Sequence, residues 1–128
     1  MTSPGSSSDQ PVATVDIYPT LADLAGLQRP TGPQPIDGTS LKEILKNPSK
    51  EIKDHIYHAY LRQGNLGEAI RTKRFRMVRW TNLNDNSKVQ YELYDYENDP
   101  LEKENTASSN PKKVKELLAV LDTYPKAK

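Results

Sequence analysis

The 128-residue sequence contains no cysteine, which removes disulfides, zinc–thiolate sites and thiol nucleophiles together. That absence leaves the compartment open, because many exported proteins also lack disulfides. Charge of one sign is not in excess either. Against 18 Lys and Arg stand 17 Asp and Glu, a formal net charge of +1, so no global field draws the chain to nucleic acid or to a membrane surface. No apolar run approaches the roughly 20 residues that span a bilayer. Residues 1–10 lack the basic and apolar regions of a signal peptide, so any export signal is expected upstream. Hydrophobic residues are scarce as well, at 34%, where ordinary domains run at about 45–50% on a slightly different set. With a mean hydropathy of −0.82, the chain suits one small domain plus a segment that either stays unpacked or packs on something else.

Catalytic signatures are missing too. No glycine-rich phosphate loop occurs, and no serine sits in a nucleophile elbow. The two histidines, His55 and His58, are three apart in a stretch of strand character, which sends them to opposite faces, a poor geometry for a shared metal. They read as ordinary strand residues. The carboxylates between Glu92 and Glu104 fit neither a calcium loop nor a recognisable glycosidase pair, and read as solvated turn residues.

What the sequence does hold is periodicity. Residues 1–12 are small, polar and proline-containing, and are expected to stay mobile. Asp16 is placed to cap a helix with Pro19 in its first turn, Ile17, Leu21 and Leu24 recur at helical spacing, and Gly26 stops it. Apolar residues surround much of this helix, so it expects partners on more than one side. Pro30, Pro33 and Pro35 make 28–38 an extended connection. Ser40 and Glu43 form a capping box for a short helix ended by Asn47-Pro48.

From residue 55 the period becomes alternating, with Ile56, His58 and Tyr60 on one face and Tyr57, Ala59 and Leu61 on the other. Gly64 and Gly67 mark a loop. Strands over 69–72 and 75–80 join tightly at Lys73-Arg74, a further strand covers 91–95, and Asn98-Asp99-Pro100 turns the chain. Asn110 and Pro111 start a last helix whose Val114, Leu117, Leu118 and Leu121 form one stripe. Docking that stripe on the sheet would contribute on the order of 6–10 kcal/mol before entropy is subtracted. The fold class is α+β: a small antiparallel sheet of about four strands packed by a C-terminal helix and preceded by a helical segment. The division expected is 1–12, 13–50 and 51–128.

The strongest charge feature is Arg71, Lys73, Arg74, Arg76 and Arg79. Guanidinium forks match sulfate and phosphate oxygens, although the solvent edge of a hairpin gives the same composition. Trp80 and the tyrosines could stack on sugar rings; beneath a helix they would serve as core.

The run 11–27, followed by Asp37-Gly38-Thr39-Ser40-Leu41, resembles the late helix and connection of type I sulfatases. Ala69-Ile70-Arg71-Thr72-Lys73-Arg74-Phe75-Arg76 and Glu92-Leu93-Tyr94-Asp95-Tyr96-Glu97-Asn98-Asp99-Pro100 resemble that family's C-terminal subdomain, in the same order. The tyrosine-rich strand and Trp80 look closest to the iduronate-2-sulfatase branch. The resemblance implies that 13–50 ends an alkaline-phosphatase-like α/β catalytic domain and that 51–128 is the subdomain behind it. It also implies an exported parent enzyme (periplasmic, secreted or lysosomal) that hydrolyses a sulfate ester on a glycosaminoglycan-like sugar, with a formylglycine and a calcium ion. The C/S-x-P-x-R motif and the metal carboxylates are not in this sequence. This chain is therefore expected to hold no cofactor and no catalytic residue, and to depend on a catalytic domain upstream. Because the subdomain borders the cleft in this family, His58, Arg62 and Arg71 are the substrate-binding candidates, with Arg71 equally placed for a structural ion pair. The alternative is a free-standing module that binds sulfated glycans through the arginine cluster; nucleic-acid binding is weaker still. Without its catalytic domain, the helix over 16–25 is expected to fold back on the sheet, to lie loosely, or to mediate self-association.

Overall fold

The computed structural model describes residues 5–28, 32, 33 and 35–127. Residues 1–4 of the leading segment and Pro30 of the connection lie outside the described residues. The chain forms two compact units, one running to Asp54 and the other starting at His55.

In the first unit, a 3-10 turn over Thr14–Asp16 runs into helix α1, Ile17–Leu24. Asp16 sits at the expected boundary but does not cap the helix with its side chain. Its own backbone is already helical (φ −78°, ψ −18°), whereas a side-chain cap needs an extended residue. The buried carboxylate instead accepts the Ala13 N–H at 2.8 Å, the Thr39 N–H at 2.9 Å and the Lys53 ammonium at 2.6 Å. Burial works against ionisation, but these donors together hold its pKa below the usual value. Gly26, at φ +70°, closes the helix. The Leu27 N–H reaches the Ala22 carbonyl at 2.9 Å and the Gly26 N–H that of Asp23 at 3.3 Å, the paired bonds of a Schellman motif. Helix α2, Lys42–Lys46, does not form the expected capping box: its N-cap is Leu41, which makes no side-chain cap bond. Ser40 Oγ accepts the Lys42 N–H at 3.3 Å, while Glu43 pairs with Lys46 and Lys50. Ser8 donates to the Pro48 carbonyl, and Gln10 Oε1 accepts the Ile52 N–H, so these two residues of the leading segment are tied into the unit.

The face that α1 buries is not its most apolar one. Pro19, Thr20 and Ala22 are covered, and Thr20 Oγ1 links the Asp16 carbonyl to the Leu41 N–H. Ile17, Leu21 and Leu24 remain 54%, 60% and 48% exposed.

The second unit is a meander of β1 (His55–Arg62), β2 (Asn65–Thr72), β3 (Phe75–Asn82) and β4 (Val89–Asp95), followed by α3 (Pro111–Leu121). The order is β1-β2-β3-β4, antiparallel throughout. A two-residue turn at Gln63-Gly64, both with positive φ, joins the first hairpin with the twist its strands require. The expected loop is therefore shorter: Gly64 turns, but Gly67 lies inside β2. Tyr57, Ile70, Met77 and Leu93 lie side by side across the sheet. On that face Ile70, Met77 and Leu93 pack against Val114, Leu117 and Leu121 of α3, so the expected stripe docks, with Leu118 at its margin. Asn110 precedes the helix without capping it; its amide donates to the Thr106 carbonyl and Ser109 Oγ. The edge strand β4 is covered by Asn105, which accepts the Leu93 N–H and donates to the Tyr91 carbonyl.

At the turn between β2 and β3, Arg74 grips Asp95 with Nε and Nη2 at 2.8 and 2.7 Å. That guanidinium, helped by Asn98, lowers the Asp95 pKa to about 2. A carboxyl depressed in the fold adds stability above its unfolded value near 3.9, and the contribution is lost as pH falls toward 2. Acid titration of the Arg74→Ala variant is expected to show a shallower loss of stability between about pH 4 and 2 than the parent chain. An unchanged acid limb would show that the pair adds nothing.

Candidate functional site

The sheet face turned away from α3 carries the candidate site. Three cross-strand rows line it: Ile56, Arg71, Arg76 and Tyr94; His58, Ala69, Val78 and Glu92; Tyr60, Gly67, Trp80 and Gln90. Beyond the last row, Asn65 and Asn82 are paired across β2 and β3, with the Asn82 amide donating to Asn65 at 3.2 Å.

Of the two roles the sequence offered Trp80, a sugar platform or core beneath the helix, the second does not hold: it lies on the other face and is half-buried. Its position depends on Gly67. A Cβ on residue 67 would sit 2.7 Å from the indole, closer than packed atoms approach, so only glycine lets the ring lie across β2. Tyr60 meets Trp80 edge-on at 5.2 Å and 81°, a favourable aromatic geometry. Next to this pair is a cleft of about 290 Å³ bordered by Arg62, Asn65, Asn82, Gln90 and Glu92. Among the described residues the Arg62 side chain makes no hydrogen bond or ion pair.

The three candidates share this face but not one spot. Positions 58 and 62 are an even number apart on β1, and Arg71 lies opposite Ile56. His58 and Arg62 are four positions apart along the strand, roughly 13 Å, and only Arg62 borders the cleft. His58 lies with Tyr60, ring centroids 6.4 Å apart. Burial, then Arg76 and Arg71, lower its pKa and favour the neutral imidazole. The Arg71 guanidinium stacks on the Tyr96 ring at 3.6 Å, a cation–π contact. His55, on the helix side, contacts the Tyr124 hydroxyl at 2.9 Å.

Sequence clustering of the arginines does not survive folding as one patch. Arg76 and Arg79 are three apart on β3 and point to opposite faces. Arg74 pairs with Asp95 and Glu97, Arg76 with Glu102, and Arg79 with Glu68 and Asp122. The sequence offered the cluster as an anion-binding patch or a solvent hairpin edge and the structural ion pair for Arg71; the ion pairs fall instead on Arg74, Arg76 and Arg79, while Arg71 lies on Tyr96. The residues missed in sequence were Asn65, Asn82 and Gln90, while Glu92, read there as a solvated turn carboxylate, lies within β4 and is half-buried. Uncharged or isolated polar residues near strand ends carry no periodic signal, and only the register brings them together.

The same pairing bears on the calcium and formylglycine implied by the resemblance. Glu68, Asp95 and Glu102 are each held by an arginine, and among the described residues no group of three or more His, Asp or Glu is placed to hold a metal. The residues present do not fit either group, so no step is assigned through them. Among the described residues, no helix is long and apolar enough to cross a membrane.

Residues 1–124 match the family described as N-sulphoglucosamine sulphohydrolase, C-terminal. The chain is 32% identical to an N-acetylglucosamine-6-O-sulfatase of Bacteroides thetaiotaomicron over 95% of its length, which is 22% of that protein. It is 31% identical to an ulvan-active sulfatase of Formosa agariphila, over 90% of this chain and 28% of the relative. A solved complex of a protein with its substrate D-glucosamine-2-N,6-O-disulfate superposes with a TM-score of 0.68 at 30% identity, over 84% of this chain and 22% of that one. The chain thus spans about a quarter of the length of the curated relatives it matches.

Proposed function

Since the chain belongs to the N-sulphoglucosamine sulphohydrolase C-terminal family, we propose that it is the C-terminal part of a sulfuric ester hydrolase that acts on a sulfated sugar. The observation carrying this reading is the match through residue 124, against relatives more than three times as long. In it the nucleophile and the metal carboxylates belong to a catalytic region outside these 128 residues. The chain supplies scaffold and one wall of the substrate cleft, with Arg62, and further along the same face His58 and Arg71, toward the sugar. The open apolar side of α1 supports the same reading. Val15, Ile17, Leu21 and Leu24 are exposed on one short segment, and a patch of that kind expects a covering surface. The catalytic region is the occupant this proposal assigns to it. Relatives named for glucosamine and ulvan sulfatases point to a sulfated saccharide; placement in the iduronate-2-sulfatase branch is the finer form of the proposal and rests on the tyrosine-rich strand and Trp80 alone.

The test is sulfate release. The 128-residue chain is expected to leave an aryl sulfate intact, whereas the protein extended by its preceding coding sequence is expected to hydrolyse it in a calcium-dependent way. Calcium-dependent turnover by the rigorously purified 128-residue chain would overturn the division of labour. An extended protein that folds and releases no sulfate from aryl or sugar esters would overturn the sulfatase reading.

A further inference from the structure

The cleft beside Trp80 combines three properties that a purely structural surface does not require. The first is a flat aromatic ring held in place from behind. Gly67 gives the indole its seat and Tyr60 its side support, so the ring is fixed before any ligand arrives, which lowers the ordering cost of binding. The second is a rim of planar amides, Asn65, Asn82 and Gln90: Asn65 and Asn82 are bonded to each other and to the neighbouring turns, and the Gln90 amide, without a side-chain bond among the described residues, offers donors and an acceptor. The third is an uneven charge distribution. The Arg62 side chain has no partner among the described residues, whereas Lys88, at the same rim, is paired with Asp85. Glu92 borders the cleft as the one carboxylate and interacts with the Tyr94 hydroxyl.

Few ligand classes satisfy all three. An apolar molecule would leave the Gln90 amide and the Arg62 guanidinium without a partner, at a cost for each. A nucleic-acid strand would set its phosphates against Glu92 in a chain of net charge +1. A pyranose ring presents an apolar C–H face to an aromatic platform and hydroxyls around its edge, and a cleft of about 290 Å³ lies at the small end of ligand sites. We propose that this cleft binds one anionic pyranose unit of a sulfated polysaccharide, its ring on Trp80, its hydroxyls on the Gln90 amide and Glu92, and its acidic group on Arg62. Glu92 sets the polarity, because it accepts hydroxyls and repels the acid, which is thereby directed to the guanidinium. The inference deepens the sulfated-sugar reading and rests on it for the substrate class.

Trp80 is the only tryptophan in the chain, so its fluorescence reports on this cleft alone. The chain is titrated with a heparin tetrasaccharide, with the same tetrasaccharide after chemical desulfation, and with neutral maltotetraose. A saturable change in Trp80 emission is expected with the first. Desulfation that leaves binding intact assigns the acidic group to the sugar carboxylate, and desulfation that lowers it tenfold assigns it to a sulfate ester; both support the site. Arg62→Ala is expected to weaken binding at least tenfold and bring it to the maltotetraose level. Gln90→Ala, an exposed rim change that spares the fold, is expected to weaken it severalfold. Binding that leaves Trp80 emission unchanged, binding that both variants retain, or no binding by the folded chain overturns the proposal. The two readings fail separately. Sulfate release by the extended protein with a silent Trp80 removes only this site; a Trp80 response without sulfate release removes the sulfatase reading and keeps the sugar site.

Discussion

Replacing Gly38 by alanine is expected to destabilise the first unit by about 3 kcal/mol or more, the sum of an overpacking cost and a lost charge-assisted hydrogen bond. A Cβ at this position would lie 1.9 Å from the Val15 carbonyl oxygen, 2.5 Å from its carbon and 3.0 Å from the Asp16 nitrogen. These are backbone atoms of the turn leading into α1 and cannot rotate out of the way. The clash falls beside the bonds that hold the connection to that turn. The Thr39 N–H donates to Asp16 Oδ1 at 2.9 Å, and the Leu41 N–H to Thr20 Oγ1 at 2.8 Å. Any shift of residue 38 that relieves the clash lengthens the first of these and leaves a buried carboxylate short of a donor. Amide hydrogen exchange at Thr39 and Leu41 is expected to accelerate together with the loss of stability. Gly26 is the control. It has open space around its Cα but φ +70°, so alanine there costs only the left-handed strain, about 1–2 kcal/mol. If Gly38→Ala is as mild as Gly26→Ala, the close approach is not maintained in solution.

Gly38 also shows what the sequence conveys and what it withholds. The Asp-Gly-Thr-Ser segment was recognisable as part of a sulfatase-like pattern, but its physical reason, the passage of one backbone over another, is a long-range contact with no local signature. Elements were legible where a single period dominated: the stripe of α3, the alternation of β1, the tight turn at Lys73-Arg74. Boundaries slipped where polar residues extend a strand. β2 begins at Asn65 and β4 at Val89, ahead of the apolar stretches that marked them, and those polar extensions are what line the cleft. Asp16 and Asn110 stand at the expected helix starts, but their side chains are drawn elsewhere, Asp16 to three donors and Asn110 to Thr106 and Ser109, and the cap of α2 falls on Leu41 rather than Ser40. Arg71, Arg74, Arg76 and Arg79 looked like one feature in the linear sequence. Strand alternation and the carboxylates of Glu68, Asp95, Glu102 and Asp122 divided them, and no carboxylate partner is visible until the register is known. Arg62 drew less attention than that cluster, yet it is the arginine whose charge faces the cleft.

The largest single-residue effect in the second unit is expected at Arg79. Glu68 is only 4% exposed, and Arg79 closes on its Oε2 with Nη2 at 2.8 Å and Nε at 3.2 Å, while Nη1 reaches Asp122 at 2.7 Å. The remaining neighbours of Glu68, the Tyr57 hydroxyl and the Ala127 N–H, are both at 3.4 Å, too long to substitute for a guanidinium fork. Arg79→Ala therefore leaves a carboxylate buried without a counter-charge, at a cost of about 3–5 kcal/mol. Arg79→Lys is expected to recover part of this, since an ammonium restores the charge but not the two-pronged geometry. The double variant Glu68→Leu, Arg79→Leu separates the worth of the pair from the penalty of breaking it. Desolvating two charges offsets most of their attraction, so two leucines on this helix-covered face are expected to match the parent stability or exceed it. Asp122 loses its partner in both backgrounds, but its side chain is 55% exposed, and water takes the place of the lost contact. Chemical denaturation of the four proteins distinguishes the cases. A single alanine variant as stable as the double leucine variant would mean that Glu68 reaches water, and the ion pair would then be a surface contact worth under about 1 kcal/mol.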